Sequence, residues 1–475
     1  MADDTGRIVR PLTPTARRIV FGATADQDID AELWPMTDID LAHVVGLVER
    51  GLVGTERAAP LLACILDLRR RNFDPLRGRP APRGLYLMYE DFLIGKVGTD
   101  AGGSLHTGRS RNDLKATVLM LRLRRHVDEL LDETLRLQAI LLSRARRHAD
   151  QVLPIYTHFQ PAVPVTYGHY LLGVAAALDR DLVGIEQAAD GLRASPMGAC
   201  GVGGTDLPLD PARVAHLLGF DRSAINSIDA VASRDTSLRL LFAATAASLT
   251  TSRFATDLQL WSSQEFGLLR FPDELVGSSS IMPQKRNVFL TEHVKAKPAL
   301  VFAAAQTLAM ATRGTPFTNS IEVGTEGVSG VWSGLSAALE SVVLTRLLAM
   351  GAEPVPDRMT ERAEQGWTTA TAMANRLVRD GVPFRSAHHE IGKLVRRGQR
   401  VDDMPTAADV ARDSEFGGGP GPASVAAQQQ LLRGRWAAHL AVHRSRRDTL
   451  RSRAAELEKA VEAILGDVDD RRWLA

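Results

Sequence analysis

Between Asp113 and Leu153 the chain runs without a single proline or glycine. Within that run Leu114, Val118, Leu121, Val127, Leu130, Leu131, Leu135, Ile140, Leu141 and Ala145 recur mostly at intervals of three or four, the period of one helix stripe. At ~1.5 Å per residue such a helix is roughly 50–60 Å long. A compact small domain has no use for that length; a long-helix bundle, often one shared between subunits, does.

Comparable stretches follow. Val165 to Ala194 has a helical pattern behind Pro164, and Ala230 to Leu269 holds one glycine near its end. Thr291 to Thr312 contains Pro298, which predicts a kink. Val328 to Met350 is apolar and rich in small residues, and Gln428 to Leu465 reads as one amphipathic helix or two. Strand patterns are scarce, with short ones expected beside the Gly-rich turns. The fold class is therefore mainly α: a long-helix bundle over residues 109–355, flanked by smaller helical domains over 1–108 and 356–475. No internal repeat of fixed period appears.

Composition excludes more than it selects. The chain of 475 residues is 45% hydrophobic and 24% charged with a net charge of +1, so neither disorder nor a nucleic-acid or membrane surface is indicated. Arg122, Arg124 and Arg125 read as a solvated helix face. Cys64 and Cys200 are too few for a disulfide framework or a cysteine zinc site and suit a reducing compartment. Met1 to Arg10 is polar, without the apolar core of a signal peptide, and no run of ~18 apolar residues predicts a membrane span. A cytoplasmic protein without metal or organic cofactor is expected.

Four polar or Gly-rich segments interrupt the helices, the places where sites are usually built. The first, Gly102 to Asp113, sets Arg109, Ser110, Arg111, Asn112 and Asp113 at the start of the longest helix, where backbone N–H groups and the helix dipole favour an anion; an N-cap with solvated arginines is the plainer reading. The second, Tyr156 to His169, holds His158 between two helices beside Thr157 and Gln160; a packed or capping histidine is its plainer reading. The third, Gly277 to Glu292, gathers serines, Lys285 and Asn287 in a loop whose Ile281, Met282 and Pro283 are expected to anchor its centre, leaving a start free to act as a lid. The fourth, Asn226 to Asp235, is a capped helix start with a possible anion contact.

The third segment resembles the Gly-Ser-Ser-x-Met-Pro-x-Lys-x-Asn signature of the fumarase/aspartase superfamily, here Ser278, Ser279, Ser280, Ile281, Met282, Pro283, Gln284, Lys285, Arg286 and Asn287, with Glu292 beyond. His106 to Asp113, Thr157-His158 with Gln160-Pro161, Asn226 to Val231 with Arg234-Asp235, Trp261 to Gly267 and Gly381 to His389 are similar to motifs of its argininosuccinate lyase branch. The resemblance implies a homotetramer whose active sites draw segments from three subunits. It implies β-elimination from an N-substituted succinate through an aci-carboxylate, releasing fumarate and an amine or guanidine. Ser279 is implied as the base, Lys285 and Asn287 as the grip on the charged carboxylate, and His158 as a group oriented by Glu292. Ser110, Arg111, Asn112, Thr157, Ser280 and Arg234 are implied as substrate-binding.

The departures bear on the substrate. Where the branch carries a Tyr, a Gln and a Lys that help hold it, this chain has Asn319, Gly324 and Gly327. Val288 and Phe289 replace Pro and Asp, Leu114 replaces Gln, and residues 20 to 38 offer no equivalent of the N-terminal Trp-Gly-Gly-Arg-Phe stretch. Succinate chemistry looks kept and amine recognition changed. Argininosuccinate or another N-succinyl compound is the expected substrate; the alternative is noncatalytic structural reuse of the crystallin kind, against which the retention of Ser279 and His158 speaks.

Overall fold

The computed structural model describes residues 12–21 and 26–466; the polar N-terminal decapeptide lies outside them. Its centre is five helices: Arg111–Arg147, Tyr167–Ala188, Asp235–Ser262, Leu290–Thr312 and Val331–Gly351. The Arg111–Arg147 helix packs on Tyr167–Ala188 and Val331–Gly351, and Asp235–Ser262 packs on the other three. The mainly helical architecture expected from the apolar periodicity is present. The longest of the five ends earlier than its apolar pattern, at Arg147, because Val152 and Leu153 are taken into a strand. At 37 residues it is still ~55 Å long. Ser110 and Asp113 close a reciprocal capping box at its start.

Other boundaries moved for local reasons. Val165 belongs to a strand, so the next helix begins at Tyr167 behind a Thr166 cap. The 230–269 stretch is two helices, Ser227–Ala232 and Asp235–Ser262, with Ser233 extended between them. Asn226 Oδ1 caps the short one by accepting from the Ile228 and Asp229 N–H groups. The Leu290–Thr312 helix is continuous across buried Pro298. Of the three arginines read as solvated, only Arg125 is exposed. Arg122 lies 3.7 Å over the Trp332 ring, and Arg124 donates to the Leu218 and Gly219 carbonyls.

Strands among the described residues form four two-stranded sheets. The largest is the antiparallel hairpin Val152–Thr157 with Gln160–Thr166, seated on the Pro356–Glu364 and Ala407–Asp413 helices. Ahead of the bundle, Asp26–Glu49, Thr55–Arg70 and Leu85–Gly102 share its core. Beyond it, Ala370–Arg379 and Phe384–Arg397 build a small separate core on Met373, Ala374, Ala387 and Ile391. Residues 428–465 lie in one 45-residue helix, Pro422–Gly466, which returns along the bundle. Trp436 Nε1 donates to the Leu135 carbonyl at 3.0 Å, and Leu457, Val461 and Ile464 enter the same core as Ile29.

The helical run Glu322–Gly351 has the length and mean hydropathy of a bilayer span, although polar residues interrupt its apolar pattern. Val331, Leu335, Ala338, Val342 and Leu348 are buried in the bundle core. Its apolarity is that of a central core helix.

Candidate active site

The first polar segment is fixed from below. Arg109, read as solvated, is buried. Its Nη1 donates to Asp40 with both side chains at 0% exposure, and Asp40 also accepts from the Tyr89 hydroxyl at 2.8 Å. Arg109 Nη2 reaches the Tyr86 oxygen, and Tyr86 and His106 both meet Glu90. Burial pushes the Glu90 carboxyl up, but the His106 and Tyr86 bonds outweigh it and leave the group below its ordinary range. Asp113 does more than cap: Oδ1 accepts from Ser110 N–H, and Oδ2 from the N–H groups of Gly198 and Cys200. The backbone of Ser110–Asn112 is thus tied to the Asp26–Glu49 helix and to the 198–200 turn, while Arg111 projects outward, exposed.

His43 belongs to this base. It sits 2.9 Å from the Thr107 carbonyl, and burial, aided by the charges of Arg109 and His106, pushes its pKa down to about 3. The unfolded imidazole titrates near 6.5, so between pH 6.5 and 3 only the unfolded chain takes up this proton. Stability from neutral His43 is complete above 6.5 and falls as pH drops, by up to ~1.4 kcal/mol per unit. The urea midpoint is expected to fall between pH 6 and 4, and less so in His43→Gln; equal slopes in the two proteins would rule this out.

His158 lies between the Arg111–Arg147 and Tyr167–Ala188 helices, as expected, at the turn of the hairpin that joins them. Thr157 pairs with Gln160, leaving His158 and Phe159 as a two-residue turn with φ of 54° and 60°. That turn wants φ > 0 at both central positions and is normally Asn-Gly. Two non-glycine residues in the left-handed region cost energy and presuppose a reason to keep their side chains. Thr157, His158 and Phe159 are all exposed.

The third segment is a loop closed at its base by pairing of Gly277 with Asn287 and Ser278 with Arg286. Arg286 fastens the base to Asp273 and the Phe271 carbonyl. Ile281, Met282 and Pro283 do not anchor it: all three are exposed, Ile281 by 82%. Their apolar surface faces away from this chain, which leaves the ladder to hold the loop. At its tip the Ser279 Oγ accepts from the N–H groups of Met282 at 3.0 Å and Ile281 at 3.4 Å. Lys285 is exposed, and Asn287 is half-buried. Glu292 takes its hydrogen bond from Gln259 Nε2; within one chain it makes none with His158.

Residues 319–327 meet the first and fourth segments. Asn319 Nδ2 donates to Asn112 Oδ1 at 3.1 Å, a partnership that sequence gave no sign of. Glu322–Glu326 forms a π-helical turn, a geometry frequent at functional sites. Gly327 is buried, and a Cβ there would lie 2.9 Å from the Glu322 carbonyl and 3.0 Å from the Ala311 Cβ. Arg234 lies in the break before the Asp235–Ser262 helix, 5% exposed.

The chain alone therefore joins Ser110, Asn112, Asn319, Gly324 and Arg234, and leaves apart from them the half-buried Ser279 between exposed Ser278 and Ser280, and the exposed His158 hairpin. The comparisons with known proteins account for the composition of these segments. Residues 90–302 match the family described as Lyase, and 367–411 match the argininosuccinate lyase C-terminal family. An argininosuccinate lyase of Methanoculleus marisnigri is 36% identical over 390 residues, 81% of this chain and 79% of that protein. The chain belongs to the argininosuccinate lyase family. It is a carbon–nitrogen lyase of the fumarate-releasing kind. A Synechococcus argininosuccinate lyase is 34% identical over 84% of this chain and 82% of its own length. Among solved structures, an EDDS lyase in complex with formate superposes with a TM-score of 0.82 at 25% identity, covering 96% of this chain and 99% of that one.

Proposed function

We propose that this lyase releases fumarate from an N-substituted succinate whose amine differs from the arginine of argininosuccinate. The observation that carries this reading is the 319–327 stretch. Gly327 sits where the branch has a lysine, directly after the π-turn, where the Glu322 carbonyl and the Ala311 side chain leave no room for a side chain. Gly324 and Asn319 remove two more long donors, and Asn319 is already committed to Asn112. Loss of buried donors changes specificity by orders of magnitude, whereas chemistry at the succinyl end needs none of them.

At that end, Ser279 removes the proton next to the carboxylate. Two N–H groups already point at its Oγ, the arrangement that would hold an alkoxide once loop closure excludes water. Lys285 and Asn287 take the carboxylate that becomes doubly charged, where fixed donors are worth most. Ser110, Arg111, Asn112, Thr157 and Ser280 hold the remaining succinyl oxygens. His158 assists the leaving nitrogen, with Glu292 as its orienting carboxylate.

His158 and Glu292 are apart in one chain, and large apolar side chains lie bare near the loop and along the bundle: Phe159, Ile281, Phe242, Leu300, Phe302 and Met310. Such surface on a bundle marks a subunit interface. A cytoplasmic homotetramer with shared sites fits both features.

Fumarate absorbance tests the substrate. Argininosuccinate is expected to release fumarate at least ~100-fold more slowly than a Methanoculleus-type lyase does, a deficit of about 2.7 kcal/mol. Release at the same rate would show that the altered stretch still accepts arginine and would sink the reading.

A further inference from the structure

Beside the first turns of the Pro422–Gly466 helix lies a cavity of about 820 Å³, within the roughly 300–1,000 Å³ of small-molecule sites. Its other walls come from the end of the Arg111–Arg147 helix, from the Ala407–Asp413 helix and from the base of the hairpin, where Val152 pairs with Thr166. Val152, Ala411, Val425 and Trp436 give it apolar surface. Protein interiors leave few voids larger than a water molecule. Here the local core is Val152 with Ala363, Ala407 and Ala411, four small side chains that do not fill the space. Trp436 is held away by its bond to the Leu135 carbonyl.

Gly434 widens the same cavity and is the one glycine of its helix before the last residue. Glycine inside a helix is destabilising relative to alanine. A Cβ at 434 would meet nothing within 4 Å, so packing within this chain does not call for glycine there.

The charges around the cavity are unbalanced. Arg146 and Arg433 are exposed and form no ion pair or hydrogen bond among the described residues. Arg412 is spent on Asp409 and Asp413, and Asp150 is the one carboxylate of the lining. Gln429 adds a polar group: Nε2 donates to the Leu142 carbonyl at 2.9 Å, which leaves Oε1 buried without a partner. Apolar walls, a few polar groups and surplus guanidinium groups suit a molecule with a greasy body and an acidic head.

We infer that this cavity binds an amphipathic anion, its apolar ring or chain among Val152, Ala411, Val425 and Trp436 and its acidic head toward Arg146 and Arg433. None of the lining residues is among those assigned to the elimination. Thr157 stands five residues beyond Val152, roughly 16 Å along the strand at ~3.3 Å per residue. The site is thus at the foot of the hairpin whose far end presents His158.

Two fluorescent dyes of nearly one shape test the inference on the full chain: anilinonaphthalene sulfonate, which carries an acid, and phenylnaphthylamine, which lacks it. Arg146→Gln combined with Arg433→Gln is expected to weaken the sulfonate by about 10-fold or more, and the amine by no more than about 3-fold. Ala426→Trp sets a ring into the cavity from an exposed position and is expected to weaken both dyes by at least ~30-fold without a lower melting temperature. Ala437→Trp does the same from another exposed position and decides the matter where the first variant melts early. Sulfonate binding that the folded tryptophan variants leave unchanged puts the dye elsewhere on the surface and overturns the inference. So does an arginine double variant that loses both dyes equally or neither, since the cavity would then not recognise the anion.

Discussion

Ser279→Ala is expected to slow fumarate release by about 1,000-fold or more, within the range for loss of a general base, while the melting temperature moves by no more than about 1 °C. Both halves follow from the loop. Among the described residues the Ser279 side chain bonds only to backbone N–H groups of Ile281 and Met282, in a segment most of whose residues are exposed, so its removal opens no cavity and strands no buried partner. The same two N–H groups would stabilise negative charge on Oγ, and alanine offers them nothing to hold. Turnover within 10-fold of the unaltered enzyme would take Ser279 out of the mechanism; a large fall in melting temperature would show that the loop carries weight the structure does not assign to it.

Arg109→Met is expected to destabilise the protein by about 3–5 kcal/mol, the usual cost of removing one partner of a buried ion pair. Asp40 would be left charged at 0% exposure, with the Tyr89 hydroxyl as its remaining donor. Adding Asp40→Asn to Arg109→Met should recover part of the loss, because the penalty lies in the stranded carboxylate and not in the missing contact. Urea titration of the single and double variants checks this. A single variant within 1 kcal/mol of the parent, or a double variant that adds the two losses in full, would contradict it. Since Arg109 adjoins Ser110–Asn112, KM for the succinyl compound should rise in the single variant as well.

The bundle was legible because its signal is local and long: each helix writes its own apolar stripe, and the Arg111–Arg147 helix differs from its pattern only at the ends. Ends went astray where one residue serves two patterns. Leu153 and Val165 suit a helix stripe as well as a strand, and only their pairing across the hairpin decides between them. The loop serines, Lys285 and Asn287 were singled out by resemblance alone, whereas the exposure of Ile281 and Met282 had no sign in the sequence, since an apolar residue does not say whose core it joins. Arg109 carried no mark distinguishing it from Arg111; its partner Asp40 stands 69 residues away. Arg234 was singled out as a family position, but its burial is a property of the packed chain. Gly324 and Gly327 read as losses. The structure separates them: one leaves a gap beside a cation, and the other has no room for anything larger.

The Pro422–Gly466 helix has a consequence for how the protein comes into being. Arg213 bridges Glu49 and Glu456, and Leu457 and Val461 share a core with residues of the first described helices. A ribosome delivers residue 29 long before residue 464, on the order of half a minute earlier at about 5–20 residues per second. Throughout that interval Ile29, Leu33 and their neighbours lack the last wall of their compartment. The nascent chain must therefore wait with apolar surface uncovered, and truncations within the final helix should strike the N-terminal helices first.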